Sequence, residues 1–331
     1  MKELSIGKIR GLTQIAGKNG TFTMCAMDHR GSFRSMINAK NPDAVTSEEI
    51  TRRKLELCES LGGYASAVLL DPIWGAAQCI AGGVLPAQTG LLVSIEESGY
   101  TGGKESRLTT LLPGWGVEKI RRLGAQAVKM LAYYRPDLKN LAGKQQDIIR
   151  AVADDCTKHD IPFLLEAVSY PVGKEVSDAV AFAGVKGELV IGSARDITAL
   201  PVDVLKAEFP ADMRYEQDQG VLKESCRRLD EASQRPWVLL SQGVDFDVFA
   251  RQVEIACQAG ASGFLGGRAI WKEVMAIEDA RDRMKFLSTT ALDRLKKISD
   301  IAAKYGVPWY RKLGLSSSRL ATITENWYQG Y

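Results

Sequence analysis

Histidine is scarce in this sequence, with only His29 and His159 among 331 residues. A metal-dependent lyase wants several imidazole or carboxylate ligands around one ion, and this supply argues against such a site. Six cysteines (Cys25, Cys58, Cys79, Cys156, Cys226, Cys257) are scattered without C-x-x-C pairs. In a chain this long they read as reduced core thiols rather than a disulfide framework, which points to a reducing compartment. No run of eighteen apolar residues occurs, and the N-terminal MKELSIGKIRGL lacks a long apolar stretch. Neither a membrane span nor a signal peptide is therefore expected, and the cytoplasm is the expected location. Charge of one sign does not accumulate either: the formal net charge is +3, with Lys and Arg interspersed among Asp and Glu. That leaves no basic stripe for nucleic acid, although a local anionic ligand stays open. Also missing is a G-x-G-x-x-G after the first apolar run, the signature of a dinucleotide-binding doubly wound sheet.

What is present is an ordinary globular balance, 45% hydrophobic and 25% charged, with ample material for a large core. Short apolar runs recur at intervals that suit strand, helix, strand units: TFTMCAMD (21–28), SAVLLD (66–71), TGLLVSI (89–95), AVKMLAYY (127–134), PFLLEAVSY (162–170), VDVLKAEF (202–209), WVLLSQG (237–243) and GFLGGR (263–268). Between them, Thr46 and Glu49 predict a capping box, with Gly62 just past the helix end, and Asp245 predicts the cap of a helix stopped at Gly260. Residues 173–201 are longer than one crossover needs and read as two helices or an inserted turn. Eight runs predict an α/β fold, a single (β/α)8 TIM barrel over residues 1–331. Its strands span about 21–268, extra C-terminal helices about 269–313, and a Ser/Thr-rich tail 314–331. An open doubly wound sheet is the competing arrangement.

In such a barrel, catalytic groups come from the C-terminal ends of the strands. Asp28 closes the first run, Lys129 lies in the fourth, Glu166 in the fifth and Lys206 in the sixth. A buried Lys or Glu costs several kcal/mol unless paired, so the four either plug the barrel as a salt-bridge cluster or do chemistry. Two lysines and two carboxylates on separate strand ends favour chemistry. Lys206 fits a Schiff-base nucleophile, Lys129 a neighbouring cation that lowers its pKa, Glu166 a proton shuttle and Asp28 the base for a hydroxyl. The loops carrying Ser241 and Gly243, and Gly266, Gly267 and Arg268, predict a phosphate cradle, although the glycines read equally as tight turns. His29 and Arg30 belong to the first loop and could meet the distal end of a substrate or simply face solvent. Asp71 either lines the site or caps its loop, and His159 reads as a surface residue.

The segments ASAVLLDP, QTGLLVSIEESGY, AVKMLAYY, PFLLEAVSY, VDVLKAEFP and GFLGGRAIW resemble the class I tagatose-1,6-bisphosphate aldolase family, grouped with deoxyribose-phosphate aldolases. The resemblance runs from about residue 22 to about residue 281 and places Lys206 on the family's Schiff-base lysine. It also places Asp28, Lys129 and Glu166 on catalytic positions, and Ser241, Gly267 and Arg268 on the C1-phosphate loop. It implies cleavage of a ketose 1,6-bisphosphate into dihydroxyacetone phosphate and glyceraldehyde 3-phosphate, with no metal or other cofactor and only a small phosphorylated ketose as partner. One departure is His29, where the family usually has Gln in a loop that contacts the C6 end. The stretch WVLLSQGVD…GASGFLGGRAIW resembles the sulfofructose-1-phosphate aldolases at least as well, and that branch would release sulfolactaldehyde. A barrel that only senses a sugar phosphate is the reading from another class, and assembly into a homo-oligomer is left open.

Overall fold

The computed structural model describes residues 4–318 and 320–331. All eight apolar runs are strands: β1 (Phe22–Ala26), β2 (Ala67–Leu70), β3 (Gly90–Ser94), β4 (Ala127–Tyr133), β5 (Phe163–Val168), β6 (Val204–Ala207), β7 (Trp237–Leu240) and β8 (Gly263–Gly266). They pair in parallel in sequence order, and β8 closes on β1. The open doubly wound sheet is thereby excluded. Closure brings the backbones of β8 and β1 very near each other at Gly263, where φ is +129° and a Cβ would lie 1.9 Å from the Phe22 carbonyl oxygen. Only glycine fits there.

Alternation along each strand separates two cores. Phe22, Met24, Ala67, Leu69, Leu92, Ala127, Leu164, Val204, Val238 and Leu265 fill the barrel, with Leu12, Ile15 and Trp309 packed against them. Their neighbours in sequence, such as Val68, Val93, Leu165, Leu205 and Phe264, face outward into the larger core under the helices. Burying a Leu, Val or Phe contributes about 1.5–3 kcal/mol, so both layers are strongly specified.

The helix ends depart from expectation in two places. Thr46 does cap the helix Ser47–Leu61 through a 3.2 Å bond from the Glu49 N–H, but the Glu49 carboxylate turns to Arg52 and Arg53 instead of completing the box. Asp245 precedes the helix Phe246–Gln258 without capping it, because its carboxylate is drawn 2.8 Å to Lys272. Residues 173–201 hold a 3-10 turn, Gly173–Val176, and then the helix Ala179–Thr198. After β8 come the helices Arg268–Trp271, Ala280–Phe286, Leu292–Tyr305 and Trp309–Lys312. The tail, of which Arg319 lies outside the described residues, places Leu320 against the barrel interior cluster. It also brings the Tyr331 hydroxyl to accept from the Gly7 N–H at 3.0 Å. No helix among the described residues is long and apolar enough to cross a membrane.

Candidate active site

Period-two alternation also aims the ionisable side chains. Lys129 stands two residues beyond Ala127, Glu166 two beyond Leu164 and Lys206 two beyond Val204, so each lies one step above a residue of the barrel interior. Glu166 and Lys206 are register partners on adjacent strands. Asp28 and Glu96 reach the same place from just past the ends of β1 and β3.

These groups converge. Lys129 Nζ is 2.8 Å from Asp28 Oδ2, 2.7 Å from Glu96 Oε1 and 3.0 Å from Glu166 Oε2, and Lys206 Nζ is 2.9 Å from that same Glu166 oxygen. Burial alone would drive Lys129 toward neutrality, but Asp28, Glu166 and Glu96 outweigh it and hold the amine well above its ordinary pKa. Burial would likewise raise Glu166 and Asp28. The opposing charges of Lys129 and Lys206 win and hold both carboxyls below the usual carboxylate range. The cluster lines a cavity of about 490 Å³ open at the C-terminal ends of the strands, together with Arg30, Tyr133, Gln242 and Arg268. That volume suits a small ligand.

The two loops expected to cradle a phosphate do meet. The Gly267 N–H points at Ser241 Oγ over 3.4 Å, and a Cβ on Gly243, where φ is +78°, would sit 3.3 Å from Arg268 Cζ. Arg268 Nε is buried with no hydrogen-bond partner, and among the described residues no carboxylate pairs with this guanidinium. A buried donor left open in this way is suited to an anion. Gly266 takes a different place. It faces outward, where a Cβ would meet Phe249 at 2.7 Å, so its role is wall packing. Gln242 turns with φ +48°, its amide held by Glu208 on one side and by Lys186 at 2.9 Å on the other.

His29 and Arg30 part company. The His29 ring meets Trp271 edge-on at 5.3 Å and lies beside Gly267, while Nδ1 is buried without a partner. Burial foremost, with Arg268 and Lys206 adding to it against the pull of Asp28, lowers its pKa to about 3, so the ring is neutral near pH 7. Arg30 instead turns toward β3, donating from Nη2 to the Glu96 carbonyl at 2.5 Å. Asp71 caps its loop, accepting from the Ile73 and Trp74 N–H groups at 2.9 Å, and does not reach the cavity. His159 ends the helix Lys139–Lys158 half-buried, away from the site.

Glu96 and Lys54 were not anticipated from sequence. Glu96 follows the end of β3 by the same two residues that separate Asp28 from the end of β1, and that spacing would have found it. Lys54 has no such signal. It projects from the helix Ser47–Leu61 under the β1 loop, donating to the Met27 and His29 carbonyls at 2.9 and 2.8 Å and pairing with Asp71.

Known proteins match this chain in sequence and in fold. The profile of DeoC/LacD family aldolases matches residues 22–273. The chain belongs to this aldolase family. It is 31% identical over 325 residues to the tagatose 1,6-diphosphate aldolase of Lactococcus lactis subsp. lactis, covering 92% of this chain and 98% of that one. It is 32% identical over 311 residues to tagatose 1,6-diphosphate aldolase 1 of Streptococcus pyogenes serotype M1, with 89% and 95% covered. Among solved structures, the barrel of this family member superimposes on an archaeal fructose 1,6-bisphosphate aldolase with a TM-score of 0.59 at 18% identity, covering 89% and 98% of the two chains. For fructose-bisphosphate aldolase from Plasmodium falciparum the TM-score is 0.68 at 15% identity, with 92% and 98% covered. These two likenesses concern the fold.

Proposed function

We propose that this protein is a class I aldolase, a carbon–carbon lyase whose one barrel domain reversibly cleaves a ketose 1,6-bisphosphate such as tagatose 1,6-bisphosphate. The products are dihydroxyacetone phosphate and glyceraldehyde 3-phosphate, and the cytoplasm is the proposed location. The observation that carries the reading is the single oxygen, Glu166 Oε2, that touches both Lys206 at 2.9 Å and Lys129 at 3.0 Å inside an open cavity. A structural plug would need the charges neutralised but would not need them at the wall of a ligand-sized space. The substrate is the one named for the relatives in Lactococcus lactis and Streptococcus pyogenes.

In this reading Lys206 passes a proton to Glu166 and its free amine attacks the C2 carbonyl. Glu166 returns a proton to the carbinolamine hydroxyl, water leaves, and a protonated imine forms. Asp28 takes the proton of the C4 hydroxyl, and the C3–C4 bond breaks. Its electron pair moves into the imine to give an enamine and the free aldehyde. Protonation at C3 and hydrolysis of the imine restore the amine. The C1 phosphate lies against Arg268, Ser241, Gly243 and Gly267, while Arg30 meets the distal group. Lys129, fixed by three carboxylates, supplies charge and does not attack.

Borohydride reduction with dihydroxyacetone phosphate, followed by peptide mass spectrometry, tests this. The adduct is expected on Lys206 in the wild type and is expected to vanish in Lys206→Met. An adduct on Lys129, or turnover of tagatose 1,6-bisphosphate without any adduct, would overturn the reading.

A further inference from the structure

Glu96 Oε2 is a buried carboxylate oxygen without a hydrogen-bond partner, and its residue lines the cavity. The rest of Glu96 is fully engaged. Oε1 accepts from Lys129 at 2.7 Å and the main-chain oxygen from Arg30 at 2.5 Å. Lys129 donates hydrogen bonds to Asp28 Oδ2 and Glu96 Oε1, and its remaining close contact is the 3.0 Å ion pair with Glu166 Oε2. None of these contacts reaches Glu96 Oε2. A charged acceptor taken out of water and given no donor carries a desolvation penalty, and a donor arriving with a ligand removes it.

We propose that Glu96 is a substrate-contacting residue whose Oε2 accepts a hydrogen bond from the C5 hydroxyl of the ketose. This rests on the Schiff-base reading above. Lys206 on β6 fixes the position of C2, and Arg268 after β8 that of the C1 phosphate. β3 lies across the ring of eight strands from β7. The remaining carbons therefore run toward the β1–β3 side, where Glu96 stands beside Arg30. Asp28 is assigned to the C4 hydroxyl, and C5 carries the next hydroxyl along the chain.

In the condensation direction the C5 hydroxyl comes from the 2-hydroxyl of glyceraldehyde 3-phosphate. The test compares that acceptor with its 2-deoxy analogue, 3-oxopropyl phosphate, in the wild type and in Glu96→Gln. The Gln keeps the size of the side chain but presents a donor or a neutral acceptor where the charged oxygen stood. The expected result is a loss of kcat/KM on glyceraldehyde 3-phosphate that exceeds the loss on the deoxy analogue by roughly 10- to 100-fold, as for a hydrogen bond to a charged group. Equal losses on both acceptors would mean that Glu96 acts only through Lys129, and no loss on either would mean no contact. Both outcomes sink the proposal. Borohydride trapping of dihydroxyacetone phosphate is run in parallel, because that substrate has no C5. A wild type that fails to trap removes the Schiff-base reading itself. If Glu96→Gln alone fails to trap, Glu96→Asp is put to the same two acceptors with the same criteria.

Discussion

Glu166 separates Lys129 from Lys206. The two ammonium groups approach one carboxylate oxygen from either side, at 3.0 and 2.9 Å, so neither meets the other's charge bare. Inward alternation on β4 and β6 correctly leads to two neighbouring lysines, but it says nothing of what β5 inserts between them. The carboxylate between them adds to the expectation that Lys129 acts on Lys206 through like charge. Lys129 is the countercharge of a three-carboxylate nest.

Removing that countercharge should be severe. Lys129→Met leaves Asp28, Glu96 and Glu166 buried beside one another with Lys206 as the remaining nearby lysine, and breaking a buried pair from one side costs about 3–5 kcal/mol. Urea denaturation at pH 7.5 should show a loss of that order. The double variant Lys129→Met, Glu96→Gln should recover part of it, because one of the stranded charges is gone. A loss below about 1 kcal/mol, the value of an exposed pair, would contradict the countercharge role.

Arg268→Ala should raise KM for dihydroxyacetone phosphate about 10- to 150-fold, which is the loss of one charge-assisted contact worth roughly 1.5–3 kcal/mol. The unpaired Nε and the lack of a carboxylate partner among the described residues motivate the prediction. Arg30→Ala should instead raise KM for the phosphorylated aldehyde. An unchanged KM for dihydroxyacetone phosphate in Arg268→Ala would place its phosphate elsewhere.

His29 makes stability depend on pH in a known direction. Its folded pKa of about 3 is below the ordinary 6.5, so the unfolded chain takes up a proton that the folded chain refuses. The stability this residue contributes is complete above pH 6.5 and is lost as pH falls toward 3, by about 2 kcal/mol at pH 5. Between pH 7.5 and 5 the wild type should lose about that much more stability than His29→Gln, read from urea midpoints at the two pH values. Parallel losses in the two proteins would show that the imidazole protonates freely in the folded state.

The strands and the four ionisable strand-end residues were legible because a parallel barrel buries its strands on both faces. Each therefore appears as an apolar run in which a Lys or Glu stands out, as Lys129 does between Val128 and Met130. Helix ends were less legible. Thr46 and Asp245 are both good caps, yet Asp245 was claimed by Lys272, twenty-seven residues away. Glu96 sits in the polar stretch EESGY, where only its offset from the strand end marks it, and Lys54 lies in a helix of mixed charge, SEEITRRKLELCESL. Which of its charged residues turns inward is decided by the loop of β1 packed above it.

That loop gives the last prediction. Lys54 is completely buried, and its ammonium donates to the carbonyls of Met27 and His29, the residues on either side of Asp28, while pairing with Asp71. Burial lowers its pKa despite Asp71, whose other oxygen, Oδ1, is held by the Ile73 and Trp74 N–H groups. Lys54→Met should leave the Asp71 carboxylate without its countercharge and the two carbonyls without the ammonium, with a stability loss on the order of 3–5 kcal/mol. If the variant remains folded at low temperature, its chemistry should divide. Imine formation with dihydroxyacetone phosphate uses Lys206 and Glu166, which the β1 loop does not hold, so borohydride trapping should stay near the wild-type level. Cleavage of the ketose needs the Asp28 carboxylate at the C4 hydroxyl, and a displacement of about 1 Å there lowers the rate by roughly 100-fold. Trapping and cleavage that fall in the same proportion would indicate general loosening of the barrel and would remove Lys54 as the residue that positions Asp28.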